Sequence, residues 1–470
     1  MKVESQGLIS LRFDKLAAIT GGTLYNTAGA ARAFKGVSLD SRSVDRGQLF
    51  VAIKGDNNDG HDYINGAITR GASGVLAERD FSRLEHIRGD VPVVAVPNSH
   101  TAMMALAANY RDWLPTRFVG ITGSNGKTTT KELAYQLISA AESASYRSPG
   151  NLNNLFGVPL SLFGISEETR FAVMEMGIST NMEMPRLATM VRPDVVCLTN
   201  VGASHLENLG TVENVAKAKL ELVRRSSPET AVIVNADDPV LMAETSKLRS
   251  DFTTFGMEAT DCDVRPDSVE LLEDGSSLVA IQGYRFRLPL SGRFQVMNLL
   301  AAYAIFKALG LSFDGIDTES IDLTTAPMRG QIVHKGDIEF VVDCYNANPA
   351  SMRVAIETFF ERPTNQRRVI VLGDMLELGA DATTYHEGIG RALSQQRFDL
   401  AVFVGPLSAH MMAAAIGEGA FTDRMTHFER ISDARRAISE LLRPGDRVLL
   451  KASRGIGLEV LLEEFDEGDA

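Results

Sequence analysis

Hydrophobic positions recur along this chain in two rhythms. Short runs that are apolar on both faces mark parallel strands buried between layers. Longer stretches with apolar residues every three or four positions mark the helices that cover them. Up to about Trp113 the short runs are GQLFVAI, SGVLA and VPVVAV, with helical stretches between them. WLPT, around Pro115, breaks the pattern and reads as a linker. RFVGITG then opens a second series, in which FAVMEMG, DVVCLTNVG and TAVIVNADD read as buried parallel strands. The stretch from Asp261 to Pro289 reads as a small antiparallel insert, and QVMNLLAAYAIFKALG as a helix ending at Gly310. A third unit begins near Pro327, with strands at IEFVVDCY, RRVIVLGD, LAVFVG and DRVLLKAS and helices such as ISDARRAISELLR between them. The pattern predicts an α/β protein of three domains. A small mixed α/β domain occupies residues 1–113, a parallel-sheet domain 114–325 and a Rossmann-like doubly wound domain 326–470. Thr325-Ala326-Pro327 is the expected hinge. A length of 470 residues agrees with three domains.

Charge and cysteine usage narrow the class. A net charge of −13 argues against nonspecific binding to nucleic acid or to an anionic membrane. Cys197, Cys262 and Cys344 lie far apart and form no CxxC pair, which suits a reducing compartment. The first stretch, MKVESQGLISLRFDKLAAITGG, is interrupted by Glu4, Arg12, Asp14 and Lys15, so no secretory or membrane-spanning segment is read there. The expectation is a cytoplasmic protein with no membrane insertion and no nucleic-acid partner.

The chemistry starts where the strand RFVGIT runs into Thr122-Gly123-Ser124-Asn125-Gly126-Lys127-Thr128-Thr129. Glycines let the backbone approach phosphate, and the following helix start supplies amides and a favourable dipole. Lys127 then meets the β- and γ-phosphates, and Thr128 ligates Mg²⁺. A strict phosphate loop has glycine at position 121, where this chain has Ile121. A surface Gly-Lys turn is the bland alternative, but the strand-loop-helix context is the one phosphate binding requires. The central domain is therefore read as a P-loop-type ATPase domain. Glu175 ends FAVMEM, where a carboxylate facing the phosphate loop suits Mg²⁺; alone it reads equally as a solvated strand end. His205 lies in the loop NVGASHLENLG, and a lone loop histidine is as a rule structural or exposed. Lys219 is more telling. In TVENVAKAKLELVRR it falls inside the apolar stripe Val212, Val215, Ala216, Leu222 and Val223, while Glu213, Asn214, Lys217, Glu221 and Arg224 face away. Burial there lowers the amine's pKa and favours the neutral, reactive form. A side chain that snorkels to the surface is the alternative.

Together these motifs resemble the Mur ligase family across nearly the whole chain. TGSNGKTTTKE, the EMG of Glu175, the GxxH of His205 and the AKAKLE of Lys219 are similar to that family's central ATPase domain. The resemblance implies ATP as the nucleotide, two Mg²⁺ ions, and a carbamylated Lys219 that helps hold metal with Thr128, Glu175 and His205. It implies catalytic roles for Lys127, Lys219 and His205, and a nucleotide site drawn from residues 122–129 with Asn298, Arg329, Asp343 and Asn346. DCYNANPASM and VLGDMLELG, with His386 following, resemble the family member whose substrates are UDP-N-acetylmuramoyl-tripeptide and D-alanyl-D-alanine. SLDSRSVDRGQLFVAIKGDNNDGHDYI resembles a uridine-nucleotide-binding segment, and NLNNLFGVPLSL a substrate loop. On this basis Asp40, Ser41, Arg42, Asn151, Asn154, Asn348, Asp374 and Glu377 are expected substrate contacts, and a monomer is expected. Local readings also stand: a capped surface turn at Asp40–Arg42, an Asn-tolerant turn with a helix-starting proline in YNANP, and a surface arginine at Arg329. His386 is the one candidate base for the incoming amine. The chain departs from the family's usual residues at Phe294-Gln295, where adenine contacts are expected, and at Leu155-Phe156 and Ala452, where substrate fit is expected. Another ligase of the same family with a different acceptor, or an ATP-dependent switch that does not ligate, are the competing readings.

Overall fold

The computed structural model describes residues 9–55, 58–79, 87, 91–272, 275–289, 292–324, 326–362 and 364–466. Thr325 of the expected hinge lies outside them. The central domain is built on six strands, all parallel, in the order Thr253–Phe255, Ala231–Asn235, Val195–Leu198, Arg117–Thr122, Phe171–Glu175 and Ser145–Arg147. The order reverses at Arg117–Thr122, the first of these strands in the chain. The crevice beyond the carboxyl end of a strand at such a switch point is where open α/β sheets bind ligands. The phosphate loop leaves from that end.

The main sheets of the other two domains follow the same logic. The N-terminal sheet pairs Val37–Ser38, Leu49–Val51, Gly74–Glu78 and Val93–Val96 in parallel, with Thr23–Tyr25 antiparallel on one edge. The C-terminal sheet runs Gln331–Lys335, Ile338–Val342, Arg447–Lys451, Arg368–Gly373, Leu400–Val404 and Met425–Phe428, with only the first strand antiparallel. Gln331–Lys335 and Met425–Phe428 are edge strands that the hydrophobic pattern did not mark. Both are only partly buried and lack the two-faced apolar run that signals an interior strand. The antiparallel insert is present as Ser268–Leu271, Ser277–Ile281 and Tyr284–Leu288.

Packing divides the molecule unevenly. One apolar core runs without interruption from Phe13, Leu49, Val94 and Leu106 into Phe118, Met174, Leu187 and Val215, so the N-terminal and central domains share it. The other face of the central sheet is covered by the helices Lys127–Ala141 and Arg293–Ala308, with Phe306 stacked on Phe313 at 3.9 Å. The C-terminal domain has cores of its own, around Phe340 and Val448 on one face and Ile370 and Phe403 on the other. Its contacts with the central domain include a hydrogen bond from Asn348 to Asn125 at 2.7 Å and the approach of His205 Nδ1 to Glu377 Oε2 at 2.7 Å. A polar seam of this kind separates at lower cost than a continuous apolar core.

Candidate active site

A cleft of about 840 Å³ lies between the central and C-terminal domains. Its floor is the phosphate loop. A Cβ at Gly123 would collide with Thr199 Oγ1, and one at Gly126 (φ +78°) with Asn298 Oδ1, so both positions need glycine. The loop is anchored from the end of the neighbouring strand. Asn125 N–H donates to Asn200 Oδ1 at 2.9 Å, and Gly202 N–H to Ser124 Oγ at 3.0 Å. Ile121, at the irregular position of the motif, is a fully buried strand residue, and the glycine that turns the chain is Gly123.

Lys127 folds back over this loop, donating to Gly123 O at 2.8 Å and Ser124 O at 3.3 Å. Burial pushes its pKa down, Glu175 pulls it up, and Arg329 adds to the depression. Thr128 Oγ1 donates to Glu175 Oε2 at 2.7 Å, and Asn153 Nδ2 donates to Oε1 at 2.7 Å. Glu175 is buried, which by itself raises its pKa. Lys127, Lys131 and Arg329 together with the Thr128 hydroxyl more than offset this, and the carboxyl stays below its ordinary value. Hydroxyl and carboxylate at hydrogen-bond distance beside a phosphate loop are the oxygen donors that Mg²⁺ takes, with phosphate and water completing its shell.

Lys219 lies on the covered side of the helix Val212–Arg224, 1% exposed, and makes no hydrogen bond or ion pair with any described residue. Burial, reinforced by the nearby Lys127 charge, drives its pKa well below the ordinary lysine value. His205 sits in a left-handed conformation (φ 53°) on the cleft wall. Its Nδ1 is 2.7 Å from Glu377 Oε2, also on a left-handed residue (φ 63°), without the alignment of a hydrogen bond. Burial lowers the His205 pKa, and Glu377 opposes that shift. Among the described residues no three His, Cys, Asp or Glu side chains form a ready-made metal cluster. A second metal here needs a further anion.

The C-terminal domain forms the facing wall. The Arg329 guanidinium lies 4.0 Å over the Tyr345 ring, and its buried Nε has no partner. Lys451 Nζ pairs with Asp343 at 2.8 Å and donates to Asn346 O at 2.9 Å. Ser453 Oγ accepts from Leu376 N–H at 2.9 Å and donates to Ala347 O at 3.3 Å, stapling the YNANP loop to the GDMLELG loop. Ala452 is buried against the bare backbone of Gly373, so the methyl group points into the domain core.

The remaining candidates separate. Asn298 lines the cleft, with Gln295 3.4 Å from its Nδ2 and Phe294 half exposed on the rim. Thr122 is fully buried beneath the loop, and Thr129 is buried at the helix start. Asn151 lines the cleft. Asn154 also reaches it, but its Oδ1 accepts from Phe156 N–H at 3.1 Å and Gly157 N–H at 2.9 Å, opening the helix Gly157–Phe163. Leu155 is buried, and Phe156 stacks on His100 of the N-terminal domain at 4.1 Å, so this departure turns to packing and away from the cleft. Asp40, Ser41 and Arg42 form a surface turn and do not line the cleft. Hydrogen bonds from Arg42 hold the Asp40 carboxyl at about 2.

Two residues of the GDMLELG region serve the fold. Asp374 is buried, and its carboxylate accepts from Ser408 N–H at 2.6 Å and Leu407 N–H at 3.2 Å, at the start of the helix Ser408–Gly417. His386 is also fully buried. Its Nδ1 donates to Ala382 O at 2.6 Å and its Nε2 accepts from Met375 N–H at 3.0 Å. With both ring nitrogens occupied, His386 cannot take a proton from an incoming amine. Three residues outside the sequence-predicted set also shape the site. Asn153 holds Glu175; Lys131, fully buried, donates to Ser148 O and Gly150 O at 2.8 Å and so pins the loop that carries Asn153; Lys451 orders Asp343. A signal existed for Lys131, which falls one helical turn after Lys127 on the same face.

A phosphate loop at the switch point, with Thr128 and Glu175 beside it and the Arg329 Nε left without a partner on the facing wall, is the arrangement of an ATP-dependent enzyme of the phosphoryl-transfer class. The chain belongs to the Mur ligase family. Residues 33–111 match the family's "Mur ligase family, catalytic domain" model, 121–306 its "middle domain" and 328–454 its "glutamate ligase domain". A Bacillus subtilis UDP-N-acetylmuramoyl-tripeptide–D-alanyl-D-alanine ligase is 32% identical over 98% of this chain and 99% of its own length. Among solved structures, a MurF from Acinetobacter baumannii matches with a TM-score of 0.86 at 29% identity, over 97% of this chain and 99% of the other. The MurF ligase from Thermotoga maritima, solved with ADP, matches at 0.78 and 29%, over 92% and 96%.

Proposed function

We propose that this protein joins the carboxyl terminus of UDP-N-acetylmuramoyl-tripeptide to the amino group of D-alanyl-D-alanine, at the expense of ATP, in peptidoglycan precursor synthesis. The observation that carries the reading is the full-length kinship with ligases of this name, combined with one cleft in which Lys127, Thr128, Glu175 and His205 meet the YNANP wall. In the reaction a tripeptide carboxylate oxygen attacks the γ-phosphorus, the bond to the β-bridging oxygen breaks, and ADP leaves. The amine of the dipeptide then attacks the acyl carbon and phosphate departs, with an amine proton lost to solvent or buffer. An anionic nucleophile approaching a polyphosphate needs positive charge around it, which Lys127 and the backbone amides supply. Arg329, free at Nε, adds a donor from the opposite wall.

Thr128 and Glu175 would hold one Mg²⁺, and His205 with Lys219 would serve a second. Bound magnesium neutralises phosphate charge. Lys219 suits carbamylation: burial disfavours its ammonium form, and the unpartnered amine would add CO₂, lose a proton to solvent and become the carbamate anion that a second ion requires. The described residues contain no helix long and apolar enough to cross a membrane, and we place the enzyme in the cytoplasm as a monomer.

The acceptor tests the reading. ADP release with UDP-N-acetylmuramoyl-tripeptide should depend on D-alanyl-D-alanine, with single amino acids poor substitutes. Efficient use of free diaminopimelate would assign the chain to a different ligase of the family, and acceptor-independent ATP hydrolysis would favour the switch.

A further inference from the structure

We propose that Asn125 and Asn348 form a carboxamide relay that couples closure of the C-terminal domain to placement of the transferred phosphoryl group. The proposal rests on the ligase reading above. Asn125 is held by its backbone: its N–H donates to Asn200 Oδ1 at 2.9 Å, and its carbonyl accepts from Thr199 Oγ1 at 2.6 Å and Asn200 Nδ2 at 3.1 Å. Only its side chain remains to choose a direction, and it turns across the cleft. Oδ1 accepts from Asn348 Nδ2 at 2.7 Å.

The polarity of that contact is set by the helix behind it. Amide oxygen and nitrogen are alike in shape, and their partners decide which is which. Asn348 is the N-cap of the helix Pro349–Glu361. Ser351 N–H donates to its Oδ1 at 2.9 Å, and its own N–H donates to Ser351 Oγ at 3.0 Å. The cap holds the oxygen toward the helix, which leaves the nitrogen to face the phosphate loop. Asn348 is 8% exposed, so it is not a surface amide that samples both orientations.

One end of Asn125 remains. With Oδ1 engaged, its Nδ2 donates to no described residue and lies on a loop whose amides, together with Lys127, cradle polyphosphate. A phosphate oxygen is the acceptor that matches a neutral donor in that place. When the domains close, Asn348 orients the Asn125 amide and turns Nδ2 to the phosphoryl group; when they part, the donor loses its orientation. Asn348 is thus a positioning residue that acts through Asn125. Asn348 also lines the cleft, where a substrate contact is expected of it.

The cap and the relay can be separated. Asn348→Asp and Asn348→Ser both keep a side-chain oxygen for Ser351 N–H, since Asp, Asn and Ser cap about equally well, and both lose the donor to Asn125. The relay predicts unchanged melting temperatures and unchanged ADP affinity in both variants. It predicts a kcat lower on the order of 10- to 100-fold, with little change in KM for ATP. Asn125→Ala should show a similar loss, and the Asn125→Ala/Asn348→Asp double variant should be no worse than the worse single variant. Wild-type kcat in both cap-preserving variants, or additive losses in the double variant, overturns the relay. So does a fall in melting temperature that parallels the fall in turnover in both. Wild-type protein in the same assay separates the two readings. No amide product from wild type sinks the ligase assignment, whereas a ligating wild type with unimpaired variants sinks only the relay.

Discussion

Lys219→Ala is expected to lower kcat by about 10²–10³ while leaving the fold and part of the ATP binding intact. The helix Val212–Arg224 is held by Val215, Ala216, Leu222 and Val223, all buried. What is lost is a group at a site where an ammonium ion is poorly tolerated: the side chain is 1% exposed, unpartnered, and shares its surroundings with the Lys127 charge. On the proposed reading the working form of Lys219 is a carbamate, an anion. Formate or acetate, small enough to enter the space the side chain vacates, should partly restore turnover to Lys219→Ala. Lys219→Arg, which keeps the positive charge, should stay inactive. If arginine supports near-normal turnover, the residue works as a cation and carbamylation is wrong.

The second large effect is at Lys127. Lys127→Met keeps the stem and removes the ammonium, so kcat should fall on the order of 10³-fold. Stability should change little. Burial depresses the Lys127 pKa, Arg329 is a further cation nearby, and Lys127 in turn depresses Lys219. Removing this cation ends the cost of burying it and its repulsion with Arg329 but also its attraction to the buried Glu175, so the net change in the stability of the unliganded protein should be small. A melting temperature equal to or above wild type, with turnover lost, would show a charge held in place for the polyphosphate. A marked fall would mean that the hydrogen bonds of Lys127 to Gly123 O and Ser124 O hold the loop together, and that its role is structural.

Much of this site can be read from local chemistry. A phosphate loop is a contiguous motif with a mechanical requirement at each glycine, and the helical stripe placing Lys219 on the covered face needs only the 3.6-residue period. Strand interiors are legible for the same reason; the edge strands Gln331–Lys335 and Met425–Phe428, which are only partly buried, are not. Residues whose roles are fixed by the third dimension escape. Nothing in NLNN tells which asparagine faces Glu175; the structure turns Asn153 to it and has Asn154 accept from the following amides. Asp374 and His386 stand in a motif that looks chemical, yet both satisfy buried backbone N–H groups, a need invisible until the chain is folded. The Asn125–Asn348 contact joins positions 223 residues apart and belongs to the arrangement of two domains, which no local pattern encodes.

The arrangement also suggests how the enzyme moves. The N-terminal and central domains share one apolar core, while the C-terminal domain meets the phosphate loop through polar contacts such as Asn348–Asn125 and His205–Glu377. We propose that the N-terminal and central domains travel as one body and that the wall carrying Arg329 and Asp343 closes on them.

The central claim, amide formation through an acyl phosphate, is tested most directly by isotope transfer. UDP-N-acetylmuramoyl-tripeptide labelled with ¹⁸O in its terminal carboxylate is incubated with ATP, Mg²⁺ and D-alanyl-D-alanine, and the released phosphate is analysed by mass spectrometry. Because the attacking carboxylate oxygen becomes the bridge to phosphorus and leaves with it, one labelled oxygen should appear in inorganic phosphate for each amide formed, alongside ADP. Unlabelled phosphate with full ligation, or AMP and pyrophosphate as products, would contradict the account.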